Sequence, residues 1–181
     1  KDGSQPESLL YGSFSGGVKH SIERVQNAAQ LSLNVKDPSV FWWGPWNWGS
    51  GVGLNWDLNI NPDVACNLEI KAGAGELIAD LTELRVKELR LDTGASSSIV
   101  DLPERAGLTN VKISAGAASV KLNVPVNVAA RIKVSGGLMG ATIDRERFPK
   151  VGDVYISDNF ESAENKVDIK VDMGAGSVTV H

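Results

Sequence analysis

Five stretches of the chain alternate apolar and polar residues and then run into a glycine. They are LEIKAGA (68–74), LRLDTGA (89–95), VKISAGA (111–117), IKVSGGL (132–138) and IKVDMGA (169–175). The glycines are Gly73, Gly94, Gly116, Gly137 and Gly174; the first four are 21 or 22 residues apart and the last follows after 37. Beyond each glycine the alternation resumes, with Leu77/Ala79, Ser98/Val100, Val120/Leu122, Ala141/Ile143 and Val178/Val180 four and six residues on. The seventh residue is Asp80, Asp101, Asn123, Asp144 or, at the end, His181. A period of two is the signature of a strand with one buried face. The unit therefore reads as strand, glycine turn, strand, polar turn.

One such unit cannot bury its apolar face alone, whereas stacked copies build a continuous core. The expectation is an all-β fold of stacked short strands with a repeat of about 21 residues, resembling a solenoid. Glycine is expected at each bend because it takes positive φ without steric cost. The 37-residue interval suggests a degenerate turn between the fourth and fifth units. Residues 1–8 read as a linker or disordered lead-in, 9–54 as an N-terminal β region and 55–181 as the repeat domain, the two sharing one continuous stack. Within the first region VKHSIERV, which contains His20, reads as strand rather than helix. RERFPKVGDVYISDNFESAENK (145–166) breaks the period and reads as a loop, with a short helical turn at Phe160–Glu164.

LDTGASSS (91–98) also matches the way aspartic proteases present a catalytic carboxylate. The repeat supplies another origin. Asp92 aligns with Lys71, Ser114, Ser135 and Asp172, and Thr93 with Ala72, Ala115, Gly136 and Met173, so glycine is the constant member. A protease of this type needs two carboxylates sharing one proton, and Asp172, in VDMG, is the candidate second aspartate. An aspartic protease acting through Asp92 stays as an alternative; the expected reading is that the chain is not an enzyme and has no catalytic residues.

Composition narrows the remaining chemistry. The single cysteine, Cys66, excludes an internal disulfide framework, and with only His20 and His181 besides it no zinc ligand set is expected. Neither a cofactor nor a metal is expected; Ca²⁺ along the Asp80, Asp101, Asn123, Asp144 row is the weaker alternative to turn-forming Asx residues. A formal charge of −4 gives no reason to expect nucleic acid. Arg90, Lys112, Lys133 and Lys170 form a basic row that either contacts anionic wall polymers or is a solvated strand face. The lead-in KDGSQPES suggests an upstream signal, lipid anchor or transmembrane segment.

All five tryptophans fall in VFWWGPWNWGSGVGLNW (40–56). Trp56 begins the alternation Trp56/Leu58/Ile60 and is expected to cap the stack. Trp42, Trp43, Trp46 and Trp48 sit among Gly and Pro. They either fold back as a cap or form a binding loop, for a glycan by ring stacking, for a membrane interface by indole insertion, or for a protein partner.

The segments WDLNINPDVACNLEIKAGAGELIADLTELRVKELRLDTGASSSIVDLP, VKISAGAASVKLNVP and VYISDNFESAENKVDIKVDMGAGSVTV resemble the C-terminal toast-rack domain of bacterial LiaF-like proteins. Residues 9–52, through LLYGSFSGG, resemble the domain that precedes it. The resemblance implies a β-repeat, adhesin-like protein of the cell envelope, placed outside the cytoplasm or on the membrane. Some of its members take part in envelope-stress responses alongside a histidine kinase. The partners it suggests are cell-wall glycan, a membrane surface or an envelope protein. It supplies no catalytic residue.

Overall fold

The structure is a computed structural model that describes residues 9–15, 18–25, 28–35 and 55–181. Among these there are eleven strands and no helix: β1 (Leu10–Phe14), β2 (Val18–Val25), β3 (Ala28–Val35), β4 (Trp56–Ile60), β5 (Ala65–Asp80), β6 (Arg85–Asp101), β7 (Leu108–Asn123), β8 (Ala129–Ile143), β9 (Lys150–Val151), β10 (Val154–Ile156) and β11 (Lys166–Val180). The chain divides into two compact units, Lys1–Asn61 and Pro62–His181.

In the first unit β1 pairs antiparallel with β4, and β2 with β3, as two separate two-stranded sheets. VKHSIERV is a strand, as its alternation indicates. Among the described residues these strands pair only with one another, and β5 to β11 make up the seven-stranded sheet of the second unit. Trp56 begins the alternating strand β4, as its pattern indicates. It lies in the β1–β4 sheet with its ring edge-on to Phe14, centroids 5.3 Å apart, and the first repeat strand starts at Ala65.

The second unit is a sheet in the order β5-β6-β7-β11-β8-β10-β9. The five long strands are parallel and in register: Ala65 pairs with Arg85 at one end of β5 and β6, and Asp80 with Asp101 at the other. A straight strand of 16 residues would be about 50 Å long. Yet the connection Leu81–Leu84 can reach at most about 18 Å. Each long strand must therefore double back on itself, and the repeat glycines mark where.

Burial records the fold-back. In β6 Val86 is buried ahead of a register irregularity; from there on the buried positions are Leu89, Leu91 and Thr93 before Gly94, and Ser98 and Val100 after it. The inward parity changes from odd to even across the bend. That change lets both half-strands direct their apolar residues into the space between them, filled by Leu89, Leu91, Ile113, Ile132, Ile169, Leu122 and Val180, each at most 1% exposed. Ladder bonding continues around the corners: Leu81 N donates to Asp101 O at 2.9 Å and Leu102 N to Asn123 O at 2.9 Å. Leu81, Leu102 and Val124, each following an Asx residue, plug the corners.

The long final interval has a topological cause. The last strand, β11, is not the outermost rung but sits between β7 and β8, paired along its length with both. The expected degenerate turn is instead the β9–β10 hairpin, whose Tyr155 and Ile156 pair with Ile132 and Arg131 of β8. Beyond it Phe160 N bonds to Ser157 O at 3.0 Å and Ala163 N to Asn159 O at 2.9 Å. These turns do not propagate into the helical turn expected at Phe160–Glu164, because the chain enters β11 at Lys166. Phe160 is buried, with the Arg131 guanidinium over its ring at 4.9 Å, and Arg131 forms an ion pair with Asp168.

The repeat glycines serve a different need from the one expected. Positive φ occurs among the described glycines at Gly75, Gly107, Gly136, Gly152 and Gly176, not at Gly73, Gly94, Gly116, Gly137 or Gly174. Those five stack in a column, and the crowding is between rungs. A Cβ on Gly116 would lie 2.9 Å from Gly94 O, on Gly174 2.8 Å from Gly116 O, and on Gly137 2.9 Å from Gly174 O. Close approach of neighbouring backbones at the bend, rather than left-handed geometry, excludes a side chain there.

Candidate functional site

The array presents three surfaces: the ridge of bends and the outer faces of the two half-strand layers. Along the ridge an open trough of about 640 Å³ is lined by Lys71, Asp92, Ser114, Asp172 and three of the stacked glycines, Gly73, Gly94 and Gly116. Asp92 pairs with Ser114, and Ser114 with Asp172, so the two aspartates lie two strands apart. At about 4.8 Å per strand their backbones are about 9.6 Å apart. They are not placed to share a proton, and the intramolecular protease reading fails on that spacing. The rest of LDTGASSS is used inside the bend. Thr93 and Ser98 are buried, Thr93 Oγ1 bonds to Ser96 Oγ, and Ser96 Oγ lies 3.3 Å from Ser98 Oγ. The hydroxyls satisfy one another in the interior, as buried polar groups must.

On the first outer face the basic row is an unbroken ladder across four adjacent strands, in the order Arg90, Lys112, Lys170, Lys133. Four cations at strand spacing would repel if left alone. Acidic rows flank them: Glu88 and Asp168 two residues before, Asp92 and Asp172 two residues after. Arg90 reaches Glu88 at 3.6 Å and Lys133 reaches Asp153 at 2.6 Å. At the β5 edge the Lys71 ammonium, 2.9 Å from Glu69, holds that carboxyl below its ordinary range. The face is thus a charge checkerboard with little net sign, a poor match for a polyanion.

On the second outer face Ser97, Ser119 and Ser177 form a ladder, with Ser119 and Ser177 hydroxyls 3.2 Å apart. This uncharged hydroxyl strip was not anticipated. Its signal was a serine three residues after Gly94, Gly116 and Gly174, absent from the other two repeats, where Glu76 and Gly140 stand.

The Asx row closes the corners. Asp80 Oδ1 accepts from Thr82 N at 3.1 Å and Thr82 Oγ1 at 2.6 Å, Asp144 Oδ1 from Glu146 N at 3.1 Å, and Asp101 Oδ1 from Asn123 Nδ2 at 2.6 Å. The carboxylates are thereby committed to turns, and among the described residues no three His, Cys, Asp or Glu side chains converge on a metal position. The Thr82 bonds hold the Asp80 carboxyl below the ordinary range. A lowered carboxyl stabilises the fold above the unfolded pKa, and that contribution fades as pH falls through the folded value. We expect Asp80 to titrate below an exposed Asp in carboxyl ¹³C NMR, and to move up part of the way in Thr82→Val, which removes the hydroxyl bond and keeps the backbone one. Cys66 is half-buried and unpaired, and burial pushes its thiol up, away from nucleophilic use. Trp42, Trp43, Trp46 and Trp48 lie outside the described residues.

The family model for the N-terminal domain of toast_rack (DUF2154) matches residues 2–123. The chain belongs to this toast-rack family. The toast-rack match runs through the first unit and the first three rungs of the second, crossing the division at Asn61 that separates them. The chain is also similar to the crystal structure of a "putative cell adhesion protein" from Clostridium sporogenes, with a TM-score of 0.81 at 18% identity over 97% of this chain and 84% of that one. At that identity the likeness is one of fold. Comparison with curated protein sequences gives no match.

Proposed function

We propose that this toast-rack chain is a non-enzymatic module of the bacterial cell envelope, working outside the cytoplasm as a rigid surface for adhesion or for LiaF-like envelope sensing. The observation that carries the reading is the in-register parallel stack. It holds outward side chains in fixed rows about 4.8 Å apart over a shared apolar core. The Clostridium sporogenes neighbour, described as a "putative cell adhesion protein", supports the same reading. Recognition is assigned to the Trp42, Trp43, Trp46 and Trp48 loop, with cell-wall glycan as the first target and lipid headgroups as the second. Indole faces stack on sugar rings and settle at membrane interfaces.

Co-sedimentation tests this. The chain is expected to pellet with peptidoglycan sacculi, and a folded variant with all four tryptophans changed to Ala is expected to stay in solution. Pelleting with anionic liposomes instead would select the lipid target. Failure to pellet with either would remove the loop from the recognition role.

A further inference from the structure

Of the two outermost long strands, β5 and β8, the second is covered along only part of its free edge. The β9–β10 hairpin pairs with it at Arg131 and Ile132. From Gly136 to Ile143 it has β11 on one side and, among the described residues, no strand on the other. This half-rung, GGLMGATI, carries neither charge nor proline, the devices by which sheet edges usually resist pairing. Leu138 is 87% exposed. Ala141 occupies the inward position of its rung, in one ladder with Val178, Val120 and Ser98. Those three are buried, and Ala141 is exposed. The core is therefore open at this end, beside a row of unpaired backbone groups.

The hairpin limits what can close it. A whole rung from another molecule, stacking head to tail, would meet β10 on the first half-strand. One extended strand of about eight residues fits the remaining half. We propose that this strand is the same segment of a second copy, and that two molecules pair antiparallel through their β8 half-edges about a twofold axis at Gly140.

The register follows from the sequence. Inward faces coincide only if opposed residue numbers sum to an even value, since a one-residue slip turns one copy inside out. With Gly140 opposite itself, Met139 faces Ala141, Leu138 faces Thr142 and Gly137 faces Ile143. Every large side chain then meets a smaller one. Moving the axis to Met139 sets two methionines against each other, and moving it to Ala141 sets Met139 against Ile143 and leaves two alanines at the centre. An isologous contact uses up both edges, so the assembly stops at a dimer. A pair of strands this short buries less than the roughly 1,000 Å² of stable interfaces, so the dimer is weak and concentration-dependent. It gains when molecules share a surface at high effective concentration. The inference stands on the β8 edge alone and does not depend on the envelope reading.

The test uses the full chain with Cys66→Ala and Gly140→Cys. A Cβ at Gly140 would meet nothing within 4 Å, so the substitution fits. Directly opposed residues sit about 4.5–5.5 Å apart at Cα, inside the span a disulfide bridges. At about 100 μM protein, where a weak interface is populated, mild oxidation should yield a covalent dimer much faster than the same treatment of Ser97→Cys, on a different exposed surface. Mixed Met139→Cys and Ala141→Cys chains should cross-link with each other in preference to themselves. Leu138→Lys should suppress cross-linking while leaving thermal unfolding unchanged. Equal rates for Gly140→Cys and Ser97→Cys, sedimentation as a monomer at this concentration, or growth of open polymers would each overturn the proposal.

Discussion

Gly176→Ala is expected to lower stability by about 3–5 kcal/mol, the sum of two separable costs. Gly176 has φ +122°, which an L side chain rarely adopts, and its added Cβ would fall far inside contact distance of Ala118 O on the neighbouring strand. Neither relaxes readily, because β11 is held on both sides. Gly94→Ala carries only the second cost, against Gly73 O, and should destabilise by about 2 kcal/mol. Gly73→Ala, at the same place in the repeat, meets nothing within 4 Å because no rung lies beneath β5 in the sheet. It should change stability by less than about 0.5 kcal/mol. Urea unfolding of the three variants, with midpoints compared at unchanged m-value, decides the matter. Equal losses for Gly73→Ala and Gly94→Ala would mean that backbone freedom, not the carbonyl of the adjacent rung, keeps the repeat glycines.

That contrast also shows which parts of the fold a single sequence discloses. The alternation about Gly73, Gly94, Gly116, Gly137 and Gly174 identified the rungs and their inward residues, because burial imposes a period of two on every stacked strand. The reason for the glycines was misread, since a local pattern reports a bend but not the neighbour pressed against it. The order of the rungs was hidden for a related reason. Parallel strands in one common register are interchangeable as far as pattern goes: Val171 of β11 faces Ile113 and Val134 equally well. Only the 37-residue interval hinted that the last unit enters elsewhere. The N-terminal strands alternate like the rungs, yet pair among themselves, and alternation alone does not name a partner. At the candidate site, the repeat gave Asp92 its register: it sits in one ladder with Lys71, Ser114 and Asp172. The basic row was legible, but its neutralisation was not, because Glu88, Asp92, Asp168 and Asp172 become its neighbours only through pairing between rungs.

The inserted strand leads to the second large effect. A chain ending at Asn165 lacks β11, and unit Pro62–His181 is expected to lose cooperative unfolding altogether. In a linear array, removing the last repeat takes away one end and one interface, and the remainder stays folded. Here the removed strand is interior. Its loss leaves β7 and β8 each with one edge unpaired along 14 positions and removes the fully buried Ile169, Val178 and Val180 from the middle of the core. Collapse of β8 directly onto β7 would have to shift the corner at Val124–Pro125, whose carbonyls are gripped by the Arg147 guanidinium at 2.8 and 2.9 Å. It would also carry the β9–β10 hairpin along with its strand. Removal of residues 1–80 takes away the edge strand β5 and leaves β6, β7, β11 and β8 in order, so that larger deletion should retain a thermal transition. Circular dichroism melts of the two truncated chains, with hydrogen exchange across β7, compare them directly. A sharp transition in the chain ending at Asn165 would show that β7 and β8 can close on each other, and that β11 is an addition to a finished fold rather than the piece that completes it.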